Sequence, residues 1–375
     1  MLTMSSDTRK GLAGVIVDDT AISSVGENLP LLYRGYPVEE LAARCNFKQV
    51  AYLILHGELP KPAEFERFRN QERGCRNISP NMEAMIRQFP PTGTAMERLR
   101  TAVSYLGMED PESEDNSPAA NLEKATKLIA RIPTIIAMDY RYRHGLEPIP
   151  PRSDLWFAEN FFHMCFGEVP EQAVLNCFET ALILYMDLGF GPSTFTARSV
   201  ASSLSDIYSA VTAAIGSLKG ELHGGAPAAV MRMLLEIGEP ENAQAWIDTA
   251  LANKETIIGF GHRIYKLGDP RGPTMYAKLL EMVKLRNGQK WIGIQEILAS
   301  TMLKRKGLYP NVDYLSGPAY YLMGFEIDLF TPIFAMSRAV GWTAHVMEQL
   351  ASNKLIRPIG TYVGPPRRPV PPLTS

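Results

Sequence analysis

Apolar residues recur at helical spacing along almost the whole chain, which limits the fold to a mainly α architecture. VEELAARCNFKQVAYLILHG sets Leu41, Val50, Leu53 and Leu55 among charges, and Gly57 ends the pattern. LEKATKLIARIPTIIAMDYRYRHG repeats it, with Pro133 as an expected kink or break. PEQAVLNCFETALILYMDLGF is mostly apolar and reads as a buried helix. Small residues dominate from Thr196 to Lys219, which suits close helix packing. The one strand signal lies near the start, where GVIVDDTAISSV and PLLYRGY predict a short hairpin. MEDPESEDNSPA and HGLEPIPPRSD read as loops, and GPPRRPVPPLTS as an extended arm.

With 375 residues the chain holds one large domain or two smaller ones. A net charge of -2 gives no global field toward nucleic acid or an acidic membrane, so specificity must reside in local sites. No run approaches the roughly 18 apolar residues that span a bilayer. MLTMSSDTRKGLAG is too polar for a secretory signal and PPLTS is not a peroxisomal tripeptide, so the expected location is cytoplasmic. Cys45, Cys75, Cys165 and Cys177 share no metal-ligand spacing, and no metal is expected. Cys165 and Cys177 lie in apolar stretches and read as buried thiols.

Three polar residues sit where a bland sequence would not put them. In ELHGGAPAAVMRMLLEIG, His223 precedes a Gly-Gly pair and an apolar helical pattern. A helix N-terminus disfavours imidazolium, and a neutral ring can donate a hydrogen bond to a developing enolate. The same residue reads equally as a structural histidine beside a turn. In GFGHRIYKLGDPRG, Gly259 and Gly261 let backbone approach a ligand beside His262. Arg263, Lys266 and Arg271 follow, offset by Asp269, and suit phosphate or carboxylate groups. A solvated basic loop is the competing reading. In NVDYLSGPAYYLMGF, Asp313 lies among apolar and aromatic residues, where its pKa should rise toward that of a general base. An N-cap for the following helix is the alternative.

Arg338 is a fourth oddity, in the middle of the apolar IFAMSRAVGWTAHVMEQL with no acidic residue within a turn or two. A buried guanidinium needs a partner, and a substrate carboxylate would supply one. His345 falls on a similar face of that helix and is a candidate supporting residue. His56, His144 and His163 read as structural or solvated.

LLYRGYPVEELA, SDIYSAVTAAIGSLKGELHGG, IIGFGHRIYKLGDPRG, YPNVD and FTPIFAMSRAVGWTAHVMEQ together resemble the citrate synthase family, in order, from residue 10 to about 364. RKGLAGVIVDDTAIS, NFFHMCFGEVPE and GPAYYLMGFEIDLFTPIF look most like its 2-methylcitrate synthase branch. The resemblance implies a mainly α, two-domain homodimer: residues 1–223 and 325–375 as a large domain, 224–324 as a small one, with the site in the cleft between. It implies that Asp313 deprotonates an acyl-CoA thioester, His223 stabilises the enolate and His262 polarises oxaloacetate. It further implies that Arg271 and Arg338, with Arg357 from the other subunit, hold carboxylates, and that Gly261 and Lys266 meet CoA. CoA enters as substrate, and no other cofactor is implied.

The chain departs from the family pattern in one region. Leu188 stands where the family has an oxaloacetate-binding histidine, Gly191-Pro192 where it has Asn-Ala, and Pro227 and Ala228 where it has Asn and Glu. Losing one hydrogen bond to a charged substrate costs roughly 1.5–3 kcal/mol, a retuning rather than an abolition. Three readings remain at this stage: an alkylcitrate synthase for propionyl-CoA or a longer acyl-CoA, a citrate synthase using acetyl-CoA, and a non-catalytic binding dimer. Retention of His223, His262, Asp313 and the three arginines as a set favours an enzyme.

Overall fold

The computed structural model describes residues 10–12, 14–27 and 29–370; the terminal stretches read above as leaderless and untargeted fall largely outside them. Sixteen α-helices follow a small sheet among these residues. Strands β1 (Ser23–Ser24), β2 (Leu32–Tyr33) and β3 (Tyr36–Pro37) pair antiparallel in that order. The β2–β3 hairpin turns through Arg34 and Gly35, both at positive φ. The predicted strand over Val15–Val17 is absent: those residues are exposed, and no partner strand covers them.

The helices are α1 (Val38–Arg44), α2 (Phe47–His56), α3 (Pro62–Gly74), α4 (Pro80–Arg87), α5 (Ala95–Glu109), α6 (Pro118–Arg143), α7 (Phe157–Phe166) and α8 (Gln172–Tyr185). They continue as α9 (Pro192–Ala201), α10 (Ile207–Leu218), α11 (Ala226–Ile237), α12 (Pro240–Ala252), α13 (Gly272–Leu285), α14 (Gln289–Lys306), α15 (Val312–Leu322) and α16 (Phe330–Ala351). Two expectations change. The pattern ending at Gly57 is two helices, because Asn46 caps α2: its side chain accepts from Gln49 N–H, and Gln49 reaches back to Asn46 N–H. Pro133 does not break α6, which continues through it as one helix. Neighbours on several sides hold that segment, so packing overrides the local penalty.

Helix α16 is buried on nearly every side and packs against α2, α6, α8, α9 and α10. Helices α11 to α15 pack chiefly on one another and meet α8 and α16. The small residues of α9 and α10 do bring those helices close. Cys165 and Cys177 are buried free thiols, with burial pushing both pKa values up. No helix among the described residues is long and apolar enough to cross a membrane.

Candidate active site

The C-terminal end of α8 organises the region. A helix end leaves carbonyls without intrahelical partners, and here side chains take them. Ser337 donates to Leu182 O, Tyr33 to Ile183 O at 3.0 Å, and Arg338 Nε to Tyr185 O at 2.7 Å. Arg271 Nη1 lies 3.5 Å from Leu184 O. Both buried arginines thus sit at the negative end of one helix, where cations are favoured.

They differ in their counter-charge. Asp269 grips Arg271 with both oxygens, at 2.9 Å to Nε and 2.7 Å to Nη2, and also accepts Val312 N–H at 3.1 Å. Burial works against the Arg271 charge, but Asp269 outweighs it and holds the pKa above the ordinary value. The basic cluster expected after His262 is therefore dispersed. Arg271 is paired, Arg263 donates to Gly11 O at 2.8 Å, and Lys266 Nζ folds back onto the carbonyls of His262 and Arg263. Among the described residues Arg338 forms no ion pair; its guanidinium lies 4.8 Å from the Phe334 ring centroid, and burial lowers its pKa. Asp187, from beyond α8, is the opposing charge that acts on it most.

The two histidines reach the region by different routes. His223 sits in the turn before α11, where Gly224 is required: a Cβ there would lie 2.5 Å from Leu218 O. Its Nε2 accepts from Ser193 N–H at 3.2 Å and lies 2.8 Å from Ser193 Oγ, which itself accepts from Trp342 Nε1–H. A backbone N–H can only donate, so the neutral ring carries its proton on Nδ1. That nitrogen has no partner among the described residues. Burial, then Arg338, pushes the pKa down to about 4. The expected helix N-terminus, that of α11, is present just after His223, and the ring also meets the first turn of α9 through Ser193.

His262 follows Gly259 and Gly261, both at positive φ. Gly261 N–H bonds Tyr309 O at 2.8 Å, Asn311 N–H bonds Gly259 O at 2.9 Å, and Asn311 Nδ2 bonds Gly261 O at 3.0 Å. This pairing draws His262 toward the start of α15. Its Nδ1 accepts from the N–H groups of Ile264 and Tyr265, each at 3.2 Å, leaving Nε2 protonated and, among the described residues, unpartnered. Burial, then Arg271, pushes its pKa down to about 4. A small cavity of about 70 Å³ opens on this side, lined by His262, Tyr265, Lys266, Asp269, Tyr309 and Asn311 among others.

Asp313 is not the N-cap of α15. Asn311 has that role, accepting from Asp313 N–H and Tyr314 N–H. The Asp313 carboxylate instead receives Tyr185 Oη–H at 2.5 Å, and that hydroxyl lies 2.7 Å from Ser316 Oγ. Burial raises the Asp313 pKa, while Tyr185 and Arg271 oppose the rise. The Tyr185 ring meets Phe334 edge-on at 4.7 Å, and Phe334 meets His223 at 6.1 Å. Asp313, Tyr185, Phe334, His223 and Arg338 thus form one contact chain.

The remaining candidates divide. Gly191 caps α9, and a Cβ there would lie 3.8 Å from Arg338 Nη1, so the glycine leaves room beside the unpaired arginine. Leu188 is half-buried against the core. Pro227 is buried in the first turn of α11, its carbonyl against Gly317 of α15. Arg357 is exposed and makes no hydrogen bond or ion pair among the described residues. His345 does not touch Arg338; it lies between Asp187 and Arg198. Sequence reasoning missed Ser193, Phe334 and Asp187, and gave Tyr185 no part in holding Asp313. Among the described residues no group of acidic, His and Cys side chains is arranged to hold a metal.

Residues 11–359 match the family described as citrate synthase, C-terminal domain. A 2-methylcitrate synthase of Mycobacterium tuberculosis is 54% identical over 366 residues, covering 97% of this chain and 93% of its own. A citrate synthase of Mycolicibacterium smegmatis is 53% identical over 360 residues, 96% of each chain. Among solved structures, the Thermoplasma acidophilum citrate synthase in ternary complex with carboxymethyl coenzyme A and oxaloacetate superposes with a TM-score of 0.93 at 32% identity, covering 97% of this chain and 98% of that one.

Proposed function

The chain belongs to the citrate synthase family, and on that footing we propose that it condenses propionyl-CoA with oxaloacetate and water to give 2-methylcitrate and free CoA. It is a transferase whose acyl group becomes alkyl on transfer. Acetyl-CoA, giving citrate, is the second reading, favoured by the similarly related Mycolicibacterium smegmatis enzyme.

In the chemistry proposed here, the Asp313 carboxylate removes a proton from C2 of the acyl-CoA. Electron density moves to the thioester oxygen, which accepts a hydrogen bond from His223 Nδ1–H. His262 Nε2–H polarises the keto oxygen of oxaloacetate, and C2 attacks the keto carbon. Water then cleaves the thioester and releases CoA. A positioned base is worth about 10²–10⁴ in rate. A neutral imidazole donates to a developing oxyanion without a cation having to be buried first. The two tautomers carry this reading: each ring accepts backbone N–H at one nitrogen, and its other N–H has no partner among the described residues.

Arg338 and Arg271 hold the oxaloacetate carboxylates, with Arg357 contributed by a second copy of the chain. Gly261 lies against CoA, and Lys266 reaches its phosphates after releasing the carbonyls it now caps. Residues 224–324 act as the small domain and 1–223 with 325–375 as the large one, and their closure excludes water. In a test, the protein with propionyl-CoA and oxaloacetate releases CoA thiol, and mass spectrometry finds 2-methylcitrate. No oxaloacetate-dependent release from propionyl-CoA or acetyl-CoA overturns the reading.

A further inference from the structure

A second polar cluster lies behind Arg338, none of it used by the chemistry above. His345 and Asp187 are fully buried, and Arg198 is 1% exposed. Arg198 Nη1 donates to Glu348 at 2.7 Å and lies 3.2 Å from His345 Nδ1, while its Nη2 donates to Asp18 at 3.0 Å. His345 Nε2 lies 3.3 Å from Asp187. A guanidinium offers donors only, so Nδ1 accepts and the ring proton sits on Nε2, directed at Asp187. The chain of donors thus runs one way, Arg198 to His345 to Asp187.

Asp187 fixes the turn that follows α8. It accepts Gly189 N–H at 3.0 Å and the Ser23 hydroxyl, and Ser23 Oγ accepts Gly189 N–H at 2.9 Å. Helix α16 is bare at the contact, since a Cβ on Gly341 would lie 2.5 Å from Asp187 Oδ1. The turn held in this way carries Leu188 and Gly191, the latter beside Arg338, and leads into Ser193, which orients His223.

We propose that the Arg198–His345–Asp187 relay is a positioning device for the keto-acid half of the site, setting oxaloacetate affinity without touching oxaloacetate. This rests on the condensation reading above. The relay needs an acceptor toward Arg198 and a donor toward Asp187 at position 345. A glutamine amide offers both at a spacing like that of the ring nitrogens; methionine fills similar space and offers neither.

The expected result for His345→Met is an oxaloacetate KM raised about tenfold, as for one lost hydrogen bond in a buried network, with kcat and the acyl-CoA KM within about twofold. His345→Gln restores most of the oxaloacetate affinity. Ser23→Ala, a milder change, raises the oxaloacetate KM in the same direction and serves if His345→Met does not fold. The proposal fails if Met and Gln behave alike, if both KM values move together, or if only the melting temperature changes. Calorimetry with oxaloacetate alone separates the two levels. If the wild type and His345→Met bind equally tightly, the relay is wrong and the condensation reading stands. If the wild type binds no oxaloacetate, both fall.

Discussion

The site has two halves, and their arginines differ. Around Arg271 the charges are closed on themselves: Asp269 takes the Nε–Nη2 edge of the guanidinium and also ties down Val312, next to Asp313. Around Arg338 they are open: the guanidinium holds one backbone carbonyl, an aromatic face and a space left by Gly191. A buried charge with a bidentate partner is structure first, because removing either member strands the other. A buried cation without an ion-pair partner sets up an attraction that an anionic ligand can complete. The difference teaches that two arginines on one helix end need not share a job equally, and that Arg338 is the one with charge left to offer.

The largest expected effect is on the closed half. Asp313→Asn keeps the side chain's shape and the Tyr185 contact but removes the base, so kcat falls by about 10²–10⁴ with oxaloacetate binding largely intact. Steady-state kinetics alongside calorimetry checks this, and turnover near the starting level refutes the base assignment. Arg271→Met should then cost about 3–5 kcal/mol of stability in urea denaturation, because Asp269 is left buried and unpaired. Arg338→Met should do the reverse: stability within about 1 kcal/mol, and oxaloacetate affinity down about ten- to a hundredfold. If Arg338→Met destabilises as much as Arg271→Met, the contrast between the halves disappears.

The pH profile probes both halves together. His223 and His262 are each pushed down to about 4, so both rings are neutral donors at ordinary pH and protonate only near that value. The Asp313 pKa is raised, and its base form is present above that pKa and lost below it. Neither ring should therefore contribute an acid limb at the ordinary histidine value of about 6.5, and any limb there should trace to Asp313. Ring titration of His223 or His262 near 6.5, followed by NMR, contradicts the neutral-donor assignment. The same histidines make stability fall as pH drops from about 6.5 toward 4, because the unfolded chain binds protons there that the folded chain refuses. The smallest expected change is a gain: Leu188→His, beside the open half, should raise oxaloacetate affinity modestly. No change would mean the pocket is built around a different contact.

Much of the closed half was legible in the sequence. His262 behind its glycines and Asp313 in an aromatic setting are local signals. The Asn311 cap was equally local and was overlooked in favour of Asp313 itself. The orienting contacts were not legible, because they arise only from packing. Ser193 reaches His223 through the meeting of α9 with the turn before α11, and Tyr185 reaches Asp313 through α8 against α15. The Arg271 pairing was hidden differently: Asp269 was visible as an offsetting charge, but nothing in the spacing says its carboxylate folds back onto the arginine. A break at Pro133 was expected because local cost was weighed without the neighbours that keep α6 one continuous helix.

The central claim is an oxaloacetate-dependent condensation with propionyl-CoA as the preferred partner. Its most direct test is kcat/KM for CoA release across acetyl-, propionyl-, butyryl- and hexanoyl-CoA at saturating oxaloacetate. The account predicts a maximum at propionyl-CoA and no release when oxaloacetate is withheld. A maximum at acetyl-CoA, or release that ignores oxaloacetate, would contradict it.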